Sequence, residues 1–292
     1  MKIGYLTINC ATQIRPDTLA RELEERGFDS IWVPEHSHIP ADRRSPYPGG
    51  GELPSGYWSM MDPFVSLQAA AAATKDLILA TGICLLLERD VLALAKTVAT
   101  VDVLSGGRML LGVGVGWNEE ELANHRTDLA FGRRYSAMRE RVAALRSLWH
   151  DEEPTFDGEW DRFTPVMSDP RPLQNPLPVA LGNAGPIGIG HAAEYADQWC
   201  PIDASLMNTD GKPHVAGGIA LFRQKAEAAG RNPDDIPISL FAWGRPPQDR
   251  LESYAELGVE RVVLGPGSFD AGDDDQTMPF LERFTPMVAA LA

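Results

Sequence analysis

Residues 32 to 38 of this chain read Trp-Val-Pro-Glu-His-Ser-His, a short group of side chains able to move protons or bind a metal. An imidazole titrates near neutrality, so His36 suits a proton donor or cofactor partner, and Glu35 stands next to it. His36 and His38 also form an H-x-H pair. Imidazoles two apart on an extended segment point the same way, as metal ligands would. A barrel metallohydrolase would add ligands at other strand ends. The remaining His125, His150, His191 and His214 lie away from the expected strand ends, so no metal is expected. A plainer role, in which His36 only hydrogen-bonds loop backbone, stays open.

Three glycine-bearing segments add binding chemistry. Ala80-Thr-Gly-Ile-Cys-Leu-Leu suggests a bulge or close backbone approach to a ligand at Gly82 and Ile83. Gly112-Val-Gly-Val-Gly116-Trp-Asn-Glu alternates glycines, which strips one face so that a flat ring could lie against backbone at Gly114, beside Trp117. This is not the G-x-G-x-x-G pattern with an acidic residue about 20 further on, so a Rossmann dinucleotide site is not supported, and a tightly packed rim explains the glycines equally well. Leu181-Gly-Asn-Ala-Gly-Pro186 runs straight into a helix, so the turn from Gly182 through Asn183, Ala184 and Gly185 to Pro186, with the backbone N–H groups of its non-proline residues, forms a candidate anion site or an ordinary tight turn.

These segments need a frame. Short apolar runs alternate with helical patterns along nearly the whole chain, the mark of βαβ units around a parallel sheet. Strands are expected at 2–8, 30–34, 77–86, 109–115, 179–181, 198–201, 236–243 and 261–264. Helices are expected at 16–27, 63–74, 90–104, 133–149, 186–195, 215–229, 248–257 and 278–291. Eight of each argue for an α/β fold, a (β/α)8 TIM barrel, with 1–292 as one domain. The strands are almost wholly apolar because both faces of such strands are covered. Long connections follow strands two, four and six, at 37–61, 117–178 and 202–214. Loops after barrel strands share the C-terminal face, so these insertions crowd one mouth. Trp58, Met60, Met61, Trp117 and Trp160 are candidates to line an apolar pocket there.

Composition removes several function classes. The 292 residues carry 26 Lys+Arg against 41 Asp+Glu, a formal charge of -15, and hold no basic cluster longer than two residues. Nucleic acid and anionic membranes recruit proteins through such clusters, so neither is an expected partner. The start, MKIGYLTINC, lacks the hydrophobic region and cleavage site of a signal peptide, and no run of about 18 apolar residues exists to span a bilayer. Cys10, Cys84 and Cys200 are odd in number and far apart, which suits reduced thiols and a cytoplasmic location.

The chain resembles the bacterial luciferase-like monooxygenase superfamily, and in particular its coenzyme F420-dependent oxidoreductase branch. The most specific part is Leu92 to Trp117, where L-S-G-G-R precedes G-V-G-V-G-W. Phe131-Gly-Arg-Arg, Phe156-Asp-Gly-Glu-Trp, Leu173-Gln-Asn-Pro-Leu-Pro-Val, Gly182 to Pro186 and Ala196-Asp-Gln-Trp then follow in the order of that branch. The resemblance implies F420 lying across the mouth against a strand-three bulge with a non-prolyl cis peptide at Gly82–Ile83. It also implies that Cys84 borders the ring, that His36 beside it, oriented by Glu35, supplies or accepts a proton, and that the turn from Gly182 to Gly185 receives the phosphate. Hydride transfer to or from a small organic substrate is the implied reaction. Relatives are commonly homodimers through the Ala-rich helix at 66–73, where ordinary packing against the barrel is equally open.

The branch's sugar-phosphate dehydrogenases place Glu directly after the strand-four glycines, where this chain has Trp117, and their basic residues after strand six are missing up to Lys212. The first departure speaks against that substrate, and the second leaves FMN beside the deazaflavin as a possible cofactor. Arg43, Arg44, Arg133 and Arg134 are the cations available to an acidic cofactor tail. Two other readings stand beside the F420 enzyme: an FMN-dependent monooxygenase supplied with reduced flavin by a separate reductase, and a cofactor-binding protein without turnover.

Overall fold

A computed structural model describes residues 1–206, 214–266, 268–271 and 276–291. Its core is a ring of parallel strands: β1 (Lys2–Leu6), β2 (Ser30–Val33), β3 (Ile78–Thr81) with its short continuation β4 (Cys84–Leu85), β5 (Met109–Gly114), β8 (Val179–Leu181), β9 (Gln198–Trp199), β10 (Ser239–Ala242) and β11 (Arg261–Leu264). The order β10-β11-β1-β2-β3-β5-β8-β9 is continuous, and parallel bridges from Trp199 to Ile238 and from Ile202 to Phe241 bring β9 back to β10. This is the eight-stranded barrel expected from the alternating pattern. Two further strands, β6 (Phe156–Asp157) and β7 (Arg162–Phe163), form an antiparallel hairpin outside it.

Side chains from the strands fill the barrel. Leu6, Trp32, Ala80, Leu110, Ala180, Phe241 and Val263, with Cys200 just past β9, form one inner cluster. Alanines on β3 and β8 leave room for Trp32, whose ring meets Phe241 edge-on at 5.1 Å. The opposite faces of the strands pack against the helices in a second, larger core. Those helices are α1 (Pro16–Glu25), α2 (Pro63–Ala73), α3 (Val91–Ser105), α4 (Glu119–His125), α5 (Arg134–His150), α6 (Pro186–Tyr195), α7 (Val215–Ala228), α8 (Gln248–Glu256) and α9 (Thr277–Leu291). Their starts follow local chemistry. Asp62 caps α2 by accepting from Phe64 N and Val65 N, Asp90 caps α3 through Ala93 N, and Gly106 in the left-handed region ends α3. Cys10, Cys84 and Cys200 are buried free thiols.

Several boundaries differ from the sequence expectation. The run 77–86 does not make one strand, because the Gly82–Ile83 peptide is cis and offsets β4 from β3. The insertion after β5 holds not only α5 but also α4 and the β6–β7 hairpin, whose two-residue strands are too short for a periodic signal. The connection after β11 also reaches the mouth: Gly56 N donates to Phe269 O at 2.9 Å, and Ser55 N to Asp270 at 3.1 Å. Of the insertion after β9, residues 207–213, including Lys212, lie outside the described part. Among the described residues no helix is long and apolar enough to cross a membrane.

Arg141 on α5 ties the large insertion to the barrel behind the mouth. It is 3% exposed, donates to Asp161 at 2.6 Å and to Leu86 O at 3.1 Å, and also reaches Arg89 O. Removing it strands a buried carboxylate and two carbonyls. Arg141→Ala should therefore lose about 3–5 kcal/mol of unfolding free energy, read from the urea midpoint, whereas a change under about 1 kcal/mol would show the pair to be dispensable.

Candidate active site

A cavity of about 500 Å³ opens at the C-terminal end of the barrel. Its floor is Ile83. The glycines line the cavity and also give Ile83 its room: a Cβ on Gly114 would stand 2.5 Å from Ile83 Cδ1, and one on Gly182 2.8 Å from Ile83 Cγ2. These glycines seat the isoleucine, and Gly112 makes room for the Thr81 carbonyl, 2.1 Å from where its Cβ would lie. Ile83 and the glycines beside it, Gly82, Gly114, Gly116 and Gly182, therefore share the surface offered to a ligand.

His36 stands on one wall, with Tyr57 and Trp117 around it at ring-centroid distances of 5.2 and 5.7 Å. Its Nδ1 lies 2.6 Å from Glu121 Oε2, with the imidazole 7% and the carboxylate 1% exposed. A carboxylate on Nδ1 holds the proton there and leaves Nε2 for the cavity. Glu121 comes from the first turn of α4, which Asn118 caps by accepting from Glu121 N at 3.3 Å. Glu35 does not orient His36, contrary to expectation. Its carboxylate accepts from Leu85 N at 2.8 Å and from Arg89 Nε at 2.6 Å, while Arg89 also binds Asp62 at 2.6 Å. Glu35 thus clamps β4 to the end of β2.

The paired-imidazole reading of His36 and His38 also fails. Pro34 follows the last residue of β2 and the segment leaves the strand, so the rings take different partners. His38 Nδ1 and His125 Nε2 both meet Ser37 Oγ, at 2.9 and 2.8 Å. His125, expected away from the strand ends, is carried to the rim by α4. Among the described residues no group of three or more His, Cys, Asp or Glu is arranged to hold a metal.

Opposite His36, Gly182, Asn183 and Ala184 line the cavity with Phe131, Arg134 and Tyr135. Trp199, stacked on Phe222 at 4.5 Å, donates to Asn183 O at 2.7 Å and fixes this turn. Two donors there have no partner among the described residues: the buried Nδ2 of Asn183 and the buried Nε of Arg134. The N-terminus of α6 is also uncapped by any side chain, since Gly185 is its cap residue. Two expected contacts are corrected. Gly185 and Pro186 are exposed, and Pro186 faces an outer groove with Ile187 and Lys225 rather than the cavity. Cys84 is fully buried among barrel and helix residues, where burial pushes its thiol well above the ordinary range, so it does not border the cavity.

Of the other arginines expected near the mouth, Arg43 lies over the Trp117 ring at 5.5 Å, Arg44 pairs with Glu120, and Arg133 pairs with Glu159. Of the proposed apolar liners, Met60 and Trp117 face the cavity; Trp58 is 56% exposed, Met61 lies off the wall, and Trp160 stacks under Arg133. Tyr57, Trp243 and Phe269 complete that wall and were not anticipated.

Residues 15–261 match the family model described as luciferase-like monooxygenase, and the chain belongs to that family. A Mycobacterium tuberculosis protein of uncharacterised function is 36% identical over 293 residues, covering 99% of each chain. The F420-dependent glucose-6-phosphate dehydrogenase of Amycolatopsis mediterranei is 29% identical over 269 residues, 87% of this chain and 72% of that relative. An F420-dependent secondary alcohol dehydrogenase, solved with an F420–acetone adduct, shares the fold at TM-score 0.76 and 20% identity, over 100% of this chain and 99% of its own. Relatives thus include F420-dependent dehydrogenases and a 5,10-methylenetetrahydromethanopterin reductase.

On the turn against which α4 packs lies Glu88, 5% exposed in its side chain. Burial first, then the charges of Glu121 and Glu35, push its carboxyl up to about 9. A raised acid binds its proton in the folded state after the unfolded chain has released it, so this contribution to stability is present below the ordinary value of 4.5 and is lost as pH rises toward 9. Glu88→Gln should therefore melt with wild type near pH 4.5 and roughly 3 °C or more above it near pH 9, by calorimetry. A gap that does not grow with pH would contradict the raised value.

Proposed function

We propose that this protein is an F420-dependent oxidoreductase acting on a small, uncharged organic substrate. The observation that carries the reading is the pairing, across one cavity, of a carboxylate-held His36 with two unsatisfied buried donors, Arg134 Nε and Asn183 Nδ2. The donor set fits the cofactor's phosphate. One guanidinium, one amide and the uncapped start of α6 match the single charge of a phosphodiester, as in F420, better than the nearly double charge of the FMN phosphomonoester.

When bound, F420 supplies hydride chemistry at a ring carbon and does not activate oxygen as a flavin does. The chain's own residues do the rest. Ile83, seated against Gly114 and Gly182, offers an apolar surface for a planar ring. Arg134 and Asn183 would anchor the anionic arm. Glu121 keeps the proton of His36 on Nδ1, so Nε2 is free to take a proton from a substrate hydroxyl or, as imidazolium, to return one. Tyr57, Met60, Trp117, Trp243 and Phe269 exclude water from the substrate side, and Arg134 is the sole Lys or Arg among the described residues lining the cavity. A sugar phosphate would need a second cation, which favours an uncharged alcohol or carbonyl compound.

The reading extends to a homodimer. On α2, Val65 is 72% exposed and Ala72, two turns further along the helix, is exposed as well, a face of small residues that allows close helix approach. Sedimentation at micromolar concentration should give twice the chain mass, and Val65→Glu should return it to one.

Titration with each cofactor separates the readings. F420 should bind at least about tenfold more tightly than FMN, and Arg134→Gln should weaken F420 by about 10–100-fold, consistent with loss of about 1.5–3 kcal/mol from a charge-assisted contact. FMN binding more tightly than F420 would overturn the choice. His36→Ala should leave F420 affinity within a few-fold of wild type and lower kcat by about 10²–10⁴.

A further inference from the structure

Glu88 closes the single helical turn that follows β4, on the side where α4 packs and supplies Glu121 to His36. Its Oε2 has no hydrogen-bond partner among the described residues, and neither has Oε1 of Glu121, whose other oxygen holds His36. Helix α4, which carries Glu121, packs on the turn that carries Glu88, and two carboxyls with an idle oxygen each, both nearly sealed from solvent, are a costly arrangement unless one of them keeps its proton.

The surrounding charges decide where that proton belongs. Arg89 is engaged by Glu35 and Asp62, and Glu121 has His36. Glu88 has only His125, whose Nε2 lies 3.7 Å from Oε2, beyond a hydrogen bond. Burial also lowers the basicity of His125, so it offers Glu88 little charge. The Cys84 thiol facing the group is held neutral by burial. On its outer side Glu88 reaches a second cavity of about 390 Å³, shared with His125. The arginines lining that cavity are engaged elsewhere: Arg126 with Asp128, Arg141 with Asp161 and Arg162 with Asp157. Glu88 therefore keeps its own proton at neutral pH, in line with the raised value given above.

We infer that Glu88 is a positioning residue for His36: as a buried carboxylic acid it donates its proton toward Glu121, directly or through one water, and so sets how firmly Glu121 holds the His36 Nδ1 proton. This rests on the reading that His36 handles the reaction's proton, and it adds the group that tunes it. A hydrogen bond from Glu88 draws charge from Glu121 and weakens its grip on an imidazolium. The coupling is reciprocal: ionising Glu88 places a second negative charge near Glu121 and raises the affinity of His36 for a proton. No bond other than O–H or N–H changes, and the proton that Glu88 loses on ionising passes to water in the second cavity, beside His125.

The test needs no cofactor. In ligand-free protein labelled with ¹⁵N in the histidine rings, the His36 nitrogens are followed by NMR from pH 5 to 10. Wild type should show an inflection of the His36 shifts near pH 9, where Glu88 ionises. Glu88→Gln keeps an N–H to donate but cannot titrate, so that inflection should vanish while the His36 shifts at neutral pH stay close to wild type. Glu88→Leu removes the donor as well, and the His36 ring shifts at neutral pH should move away from those of wild type. Wild-type and Gln curves that superimpose through pH 10 would overturn the inference, even if the Leu variant fails to fold. Because the readout is the free protein, its failure is distinct from failure of F420 to bind.

Discussion

Ile83 occupies the space that side chains at positions 114 and 182 would need, and the mouth of the barrel is arranged around that contact. The isoleucine can enter because the chain turns through a cis peptide at Gly82–Ile83 and because β5 and β8 present hydrogen where a Cβ would collide. With Ile83 in place, β4 is offset from β3 and pairs with β5, its Leu85 amide meets Glu35, and the turn after it, against which α4 packs, carries Glu88 and Arg89. A larger residue at 114 or 182 would therefore disturb the floor and the proton-handling wall together.

A second constraint is charge. Glu35, Glu88 and Glu121 share a small buried volume with Arg89 and His36. Full ionisation of all three carboxyls would leave negative charge uncompensated in a poorly solvated place. The arrangement resolves this by giving each a different role: Glu35 is an ion-pair clamp, Glu121 a partner to imidazole, and Glu88 a neutral acid. On the opposite wall the balance is inverted, with the unsatisfied donors of Arg134 and Asn183 making a place for negative charge inside a chain of net charge -15. In the proposed reading, that separation would put proton handling on one side and anion binding on the other, and so orient a ligand with one flat end and one acidic end.

The barrel was legible because its strands are covered on both faces and so read as apolar runs, punctuated by helices whose caps, Asp62, Asp90 and Gly106, are visible as residues. His36 was legible because it stands at the end of such a run, and the bulge at Gly82–Ile83 because its flanking motif resembles a family pattern. The partners were not. Glu121 is the third of three consecutive acids at the start of a short helix, where acidic residues favour the helix dipole anyway, and nothing local marks the one turned inward. Glu35 was assigned to its sequence neighbour, since Arg89 lies 54 positions away. Gly114 reads as room for a flat ring or a tightly packed rim and Gly182 as part of an anion turn, because a sequence names the vacated space and not the side chain that fills it. Phe269 arrives from a connection of ordinary appearance, and Cys84 was placed at the cavity although alternation along β4 turns it to the outer core.

The most direct test is a crystal structure of the protein grown with F420. The account predicts the ring stacked over Ile83 with His36 Nε2 facing its reactive edge and the phosphate within hydrogen-bond distance of Arg134 and Asn183. A ring bound elsewhere, or a phosphate held by residues other than these two, would contradict it.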